Sequence, residues 1–173
     1  IVNSPDVTQS DPALPTVTFP QLEHLVCTCR SNPVYVDRLT LPALTKLEFR
    51  CSGSDSSIQV LNAKIAPLLT RSQCTLQQLS LTRTMTPAPE ELQEIFTLTP
   101  RLTHLSIWTI TSSELEVLTY NPGSSASILL PELQYLILRI NLEWRPMLAR
   151  LYLFPQLAQM IHSRCPTSSA IRT

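Results

Sequence analysis

One short template recurs five times along this chain. It reads LEHLVC from Leu22, LTKLEF from Leu44, LQQLSL from Leu76, LTHLSI from Leu102 and LQYLIL from Leu133. All five fit L-x-x-L-x-Φ, where Φ is apolar. No other feature constrains the fold as strongly, because self-similarity at intervals of a few tens of residues marks a chain built by stacking one small unit on the next. The copies start 22, 32, 26 and 31 residues apart, so the units are unequal. The end of each copy alternates apolar and polar residues, the period of a strand with one buried face. A single unit cannot bury that face alone and needs its neighbours. Pro20, Pro42, Pro100 and Pro131 lie just ahead of four copies.

The expected fold class is therefore α/β: a solenoid arc with about five short parallel strands on the concave face, and helices and irregular segments on the convex face. Ile58, Leu61 and Ile65 keep the spacing of one helix face, and Pro67 should kink or break that helix. The stretch Pro89 to Phe96 opens with a proline and two acids, as a helix start favours. Ser113 to Glu116 reads as a capping box leading into Leu115 and Leu118. Phe154 to Ser163 reads as helical, carrying Leu157, Met160 and Ile161. Residues 52–57 and 121–127 have the composition of loops. Residues 1–18, rich in Pro, Ser and Thr, read as an N-terminal linker or irregular cap, 19–166 as the repeat domain and 167–173 as a frayed tail. The beginning without Met and the helix near the end suggest a fragment of a longer protein.

Composition narrows the function classes. Lys plus Arg equals Asp plus Glu, 13 each, so no chain-wide charge draws the protein to nucleic acid or an acidic membrane. Two glycines, Gly53 and Gly123, are too few and too far apart for a phosphate-cradling loop. No apolar run approaches the ~20 residues that span a bilayer. The five cysteines, Cys27, Cys29, Cys51, Cys74 and Cys165, form neither a disulfide framework nor a zinc spacing. A reducing compartment, cytoplasmic or nuclear, follows as the simpler expectation. No metal, cofactor, nucleic acid or membrane is expected.

Four stretches carry a resemblance: VDRLTLPALTKLEF (36–49), SQCTLQQLSLTRT (72–84), LTPRLTHLSIW (98–108) and LLPELQYLIL (129–138). MIHSRCP (160–166) is similar to a Met-x-x-Ser-Arg helix end that often follows. Together they resemble the leucine-rich-repeat region of fungal F-box-like proteins, over roughly residues 19 to 166. The resemblance implies that an F-box outside this chain docks on the adaptor of an SCF-type ubiquitin ligase, while the repeats hold a protein substrate. It implies no catalytic residue. A stand-alone repeat scaffold unconnected with ubiquitin is the alternative, and an enzyme with a Cys or His centre a remote one.

Alternation along each copy sends a second set of residues outward, to the concave face. They are His24, Val26 and Thr28; Lys46, Glu48 and Arg50; Gln78, Ser80 and Thr82; His104, Ser106 and Trp108; Tyr135, Ile137 and Arg139. Trp, Tyr and Arg are the usual anchors of interfaces, so Trp108, Tyr135 and Arg139 lead, with His104, Ser106, Lys46, Glu48 and Arg50 beside them. Trp108 could equally turn under a loop and pack. Lys46, Glu48 and Arg50 also fit a solvated strand surface with cross-strand charge pairs. His24 lies near Cys27 and Cys29, but Cys27 takes the third apolar position and should be buried, inert and opposite His24. His104 and His162 lack companions for a triad or metal site and read as ordinary surface residues.

Overall fold

The computed structural model describes residues 15–29, 34–51, 55–82, 88–108, 112–119, 129–139 and 147–164. Each of the five sequence copies ends in a strand: β2 (His24–Cys29), β4 (Lys46–Cys51), β5 (Gln78–Thr82), β6 (His104–Trp108) and β7 (Tyr135–Arg139). They form one parallel sheet in chain order, β2-β4-β5-β6-β7. The register follows the template without a slip: His24, Lys46, Gln78, His104 and Tyr135 are partners across all five strands. A slip of one residue would turn every apolar anchor out of the core, so the pattern itself holds the register.

From β4 onward each strand is followed by an α-helix, and these helices form a layer on one face of the sheet. The helices are α1 (Asp55–Ser72), α2 (Pro89–Leu98), α3 (Ser112–Leu118) and α4 (Met147–Arg164). Consecutive helices touch, α1 with α2, α2 with α3 and α3 with α4. Their apolar faces meet the inward face of the sheet in one core. Leu47, Phe49, Leu79, Leu81, Leu105 and Ile107 from the strands are buried there with Ile65, Leu68, Leu92, Ile95, Phe96, Leu115, Leu118 and Met160 from the helices. The leading leucines Leu44, Leu76 and Leu102 are buried in the same cluster.

The prolines ahead of the copies have a geometric role. In four copies the leading leucine donates its N–H to the residue three places back: Leu22 to Phe19 O, Leu44 to Leu41 O, Leu102 to Thr99 O and Leu133 to Leu130 O, at 3.1 to 3.4 Å. Proline is then the second residue of each turn, where its locked φ pre-sets the bend. The Leu76 copy lacks a proline and uses another device. Gln73 takes φ 47° just past the end of α1 and donates its N–H to Leu69 O at 2.9 Å, closing the helix in the left-handed conformation.

A smaller ladder sits beside the main sheet. β1 (Val17–Thr18) pairs in parallel with β3 (Leu39–Thr40), which follows a 3₁₀ helix at Val34–Arg38. Two residues within the expected linker thus pair with the domain. The end of α1 fastens this ladder. Arg71 donates to the carbonyls of Val36 (2.9 Å) and Leu39 (3.4 Å), and the Leu41 N–H donates to the buried Ser72 hydroxyl at 2.9 Å.

Several local expectations are corrected. α1 begins at Asp55, so residues 55–57 are helical rather than loop, and the helix does not end at Pro67. Ile65, Ala66, Leu68 and Leu69 are buried on either side of this exposed proline, and that packing outweighs one lost backbone hydrogen bond. α3 starts at Ser112, so Ser113 lies inside it rather than at its cap, although Leu115 and Leu118 are buried as expected. In α4, Met160 is buried and Leu157 is packed on the core, whereas Ile161 is 51% exposed because it lies one residue around from Met160, on the solvent side. At the start of α2, Pro89 is the first helical residue and the Glu91 carboxylate accepts the Ala88 N–H at 3.0 Å. The Ile58 and Leu61 side chains, the loop at 121–127 and the tail from 167 lie outside the described residues.

Candidate functional site

The candidate site is the sheet face turned away from the helices. Strand alternation exposes its residues in rows that run across the strands. The first row is His24, Lys46, Gln78, His104 and Tyr135, and the second Val26, Glu48, Ser80, Ser106 and Ile137. The third is broken: Thr28, Arg50 and Thr82 are partners, Trp108 is the partner of Arg139, and the ladder between β5 and β6 ends at Leu81 and Ile107.

The second row makes the shape. Two serines occupy its centre, flanked by the longer Glu48 and Ile137 and by Gln78 and His104 of the first row. Small side chains between long ones leave a shallow depression of about 280 Å³, with Ser80 and Ser106 in its floor and Lys46, Glu48, His104, Tyr135 and Ile137 around it. Neither serine hydroxyl has a hydrogen-bond partner among the described residues.

The two sides of the depression differ chemically. On β4, Arg50 donates to both Glu48 carboxylate oxygens, at 2.8 and 3.1 Å. This pair lies within one strand, a correction to the expected cross-strand pairing. The reason is in the register: the partners of Glu48 are Val26 and Ser80 and those of Arg50 are Thr28 and Thr82, so neither faces an opposite charge. The hydrogen bond from Arg50 holds the Glu48 carboxyl below its ordinary pKa, with partial burial opposing and the charges of Arg50, Lys46 and His24 assisting. Lys46 makes no ion pair among the described residues, whereas Arg50 engages Glu48 directly, so the cations outnumber the acid at this end.

Across the depression, His104 stacks on Tyr135 with ring centroids 4.4 Å apart and planes inclined by 18°. The Thr103 hydroxyl donates to Gln77 O at 3.1 Å and lies 2.9 Å from His104 Nδ1. His104 is thus a positioned, half-buried ring rather than an ordinary surface residue. Tyr135 and Ile137 are 57% and 54% exposed, large apolar groups with nothing over them among the described residues. At the other edge Val26 is 41% exposed.

The three leading candidates are not brought together equally. Tyr135 belongs to the rim of the depression, and Trp108, half-buried, stands beside Arg139 four residues further along the strands. The Arg139 side chain lies outside the described residues. Ser80 and Ile137 were legible as outward positions but not as parts of a pit, because the pit is a property of five strands in register.

The Cys27 thiol is half-buried rather than fully buried, because β2 is the terminal strand of the sheet. It alternates to the side away from the exposed His24. Among the described residues no group of three or more His, Cys, Asp or Glu could hold a metal ion, and no helix is long and apolar enough to cross a membrane.

Compared with protein-family models, curated proteins and solved structures, the chain shows no match.

Proposed function

We propose that this chain is a leucine-rich-repeat, substrate-recognition region of an F-box-like subunit of an SCF-type ubiquitin ligase. On this reading the sheet is the concave face of a repeat arc. The protein substrate lies on it, the ligase adaptor is engaged by an F-box outside the chain, and the protein acts in the cytoplasm or nucleus. It has no catalytic residue of its own.

The carrying observation is the sheet face that no described residue covers, where five registered strands present a depression rimmed by the stacked His104–Tyr135 pair and exposed Ile137. Large exposed apolar groups rimmed by polar residues mark a recognition surface. The resemblance of the four repeat stretches supports the ligase part of the reading.

The test uses the open reading frame that contains this chain, expressed in full. Co-purification of the SCF adaptor, retained when residues 19–166 are deleted, is the expected result. No adaptor binding by the full frame would remove the ubiquitin role and leave a stand-alone scaffold. For the face itself, Trp108→Ala with Arg139→Ala should abolish partner capture while the thermal transition stays near that of the parent. Loss of the folded state would make those two residues core instead.

A further inference from the structure

We infer that the open sheet face takes one extended peptide segment, laid across β4 to β7, with an acidic side chain at one position and a large apolar one four residues away. This rests on the reading of that face as a partner-binding surface and adds the chemistry and spacing of what it binds.

Charge decides one end. Glu48 is the only acid among the described residues that line the depression, and the bidentate contact from Arg50 compensates it. Lys46 stands in the neighbouring row with no ion-pair partner among the described residues, and the exposed His24 is its register partner on β2. An incoming carboxylate therefore meets a net positive end. A basic side chain would be repelled by Lys46 and find Glu48 already engaged by Arg50.

Apolar area decides the other end. Tyr135 and Ile137 expose more than half of their surface, and the Tyr135 ring is held in place by His104. A preset aromatic ring loses little conformational freedom when covered, so an apolar side chain gains most by lying there.

The distance between the ends sets the spacing. From β4 to β7 there are three strand steps of roughly 4.8 Å, about 14 Å in all. An extended chain advances about 3.4 Å per residue, so four residues span that gap. Side chains at i, i+2 and i+4 of an extended segment point the same way. With the acidic residue at i over Lys46 and the apolar one at i+4 over Tyr135 and Ile137, residue i+2 falls on the Ser80–Ser106 floor. Two hydroxyls without hydrogen-bond partners among the described residues favour a small hydrogen-bonding side chain there.

A phage-displayed library of random dodecapeptides, selected on the whole chain, tests this. Enriched peptides should share acid–x–x–x–apolar in either chain direction, and binding measured by anisotropy with the synthetic peptides should fall roughly tenfold or more in Lys46→Glu. Ser106→Arg, which fills the depression from a half-exposed position, should abolish binding, and Ser80→Arg provides the same block if the first variant does not fold. Selection on Lys46→Glu should replace the acid by Lys or Arg. Peptides that are blocked by Ser106→Arg but lack this spacing overturn the inference and leave the face as a binding surface. Peptides insensitive to both arginine variants, or no enrichment at all, overturn the inference and the surface together.

Discussion

The Arg164 guanidinium reaches from the last residue of α4 to the carbonyl of Leu118 at the end of α3, donating through Nε at 2.6 Å. Its two other nitrogens donate to Leu130 O at 3.4 Å and Leu129 O at 3.1 Å, just ahead of β7. One side chain thus joins two helices and the entry to the last strand. Burial pushes its pKa below the ordinary value, but a guanidinium stays charged throughout the usable range. Arg164→Ala should cost about 3 kcal/mol, because three carbonyls lose a charged donor in a half-buried place. Arg164→Lys should recover only part, since an ammonium lacks the fork. Chemical denaturation of the two variants checks the order.

Phe49→Ala should be more damaging than any substitution on the open face. Phe49 is fully buried at the centre of the core, and a truncated buried aromatic costs about 3–5 kcal/mol. Calorimetry should show a transition lowered by roughly 10 °C, at about 2–4 °C per kcal/mol for a chain of this size. Tyr135→Ala, on an exposed ring, should change stability by less than about 1 kcal/mol. It should nonetheless shift the His104 ring resonances, because the Tyr135 ring current acts on His104 at stacking distance.

Pro67→Ala should stabilise the protein. The proline sits inside α1 and leaves the Ala63 carbonyl without its helical N–H donor. Interior proline costs up to about 3 kcal/mol, offset by the stiffer unfolded chain, so a net gain of about 1–2 kcal/mol is expected. Equilibrium unfolding in urea reads it directly.

Glu48→Gln should carry a pH signature. The folded protein holds the Glu48 pKa down, so the carboxylate contributes stability above its unfolded pKa of about 4.3 and loses it as pH falls through the lowered folded value. The stability difference between parent and variant should be constant near neutrality and shrink below about pH 4. Thermal scans across that range, with and without added salt, measure it.

The sheet was legible because each strand announces itself twice, by a leading leucine and by alternation. Five strands, their order and their register all follow from aligning Leu22, Leu44, Leu76, Leu102 and Leu133. β1 and β3 were not legible, since two residues cannot display a period and their pairing depends on the anchoring of Arg71 and Ser72. α1 ran past Pro67 because tertiary packing overrode a local breaker. Of the site, the outward residues were readable one strand at a time. The His104–Tyr135 stack and the serine floor were not, because each joins residues from neighbouring copies.

The copies are also joined by a repeated pair of backbone hydrogen bonds. Glu23 O accepts from the N–H groups of Thr45 and Lys46, Thr45 O from Gln77 and Gln78, Gln77 O from Thr103 and His104, and Thr103 O from Gln134 and Tyr135, all at 2.8 to 3.0 Å. Thr45 and Thr103 add a hydroxyl donated to the same carbonyls, at 3.1 Å each. Every strand is therefore indexed to its predecessor at its own first residue, whatever length of chain lies between. The returns between copies can gain or lose residues without shifting a single outward row. Length change and surface chemistry are decoupled in such a chain: the helix side can take up insertions while the composition of the open face is left to vary on its own.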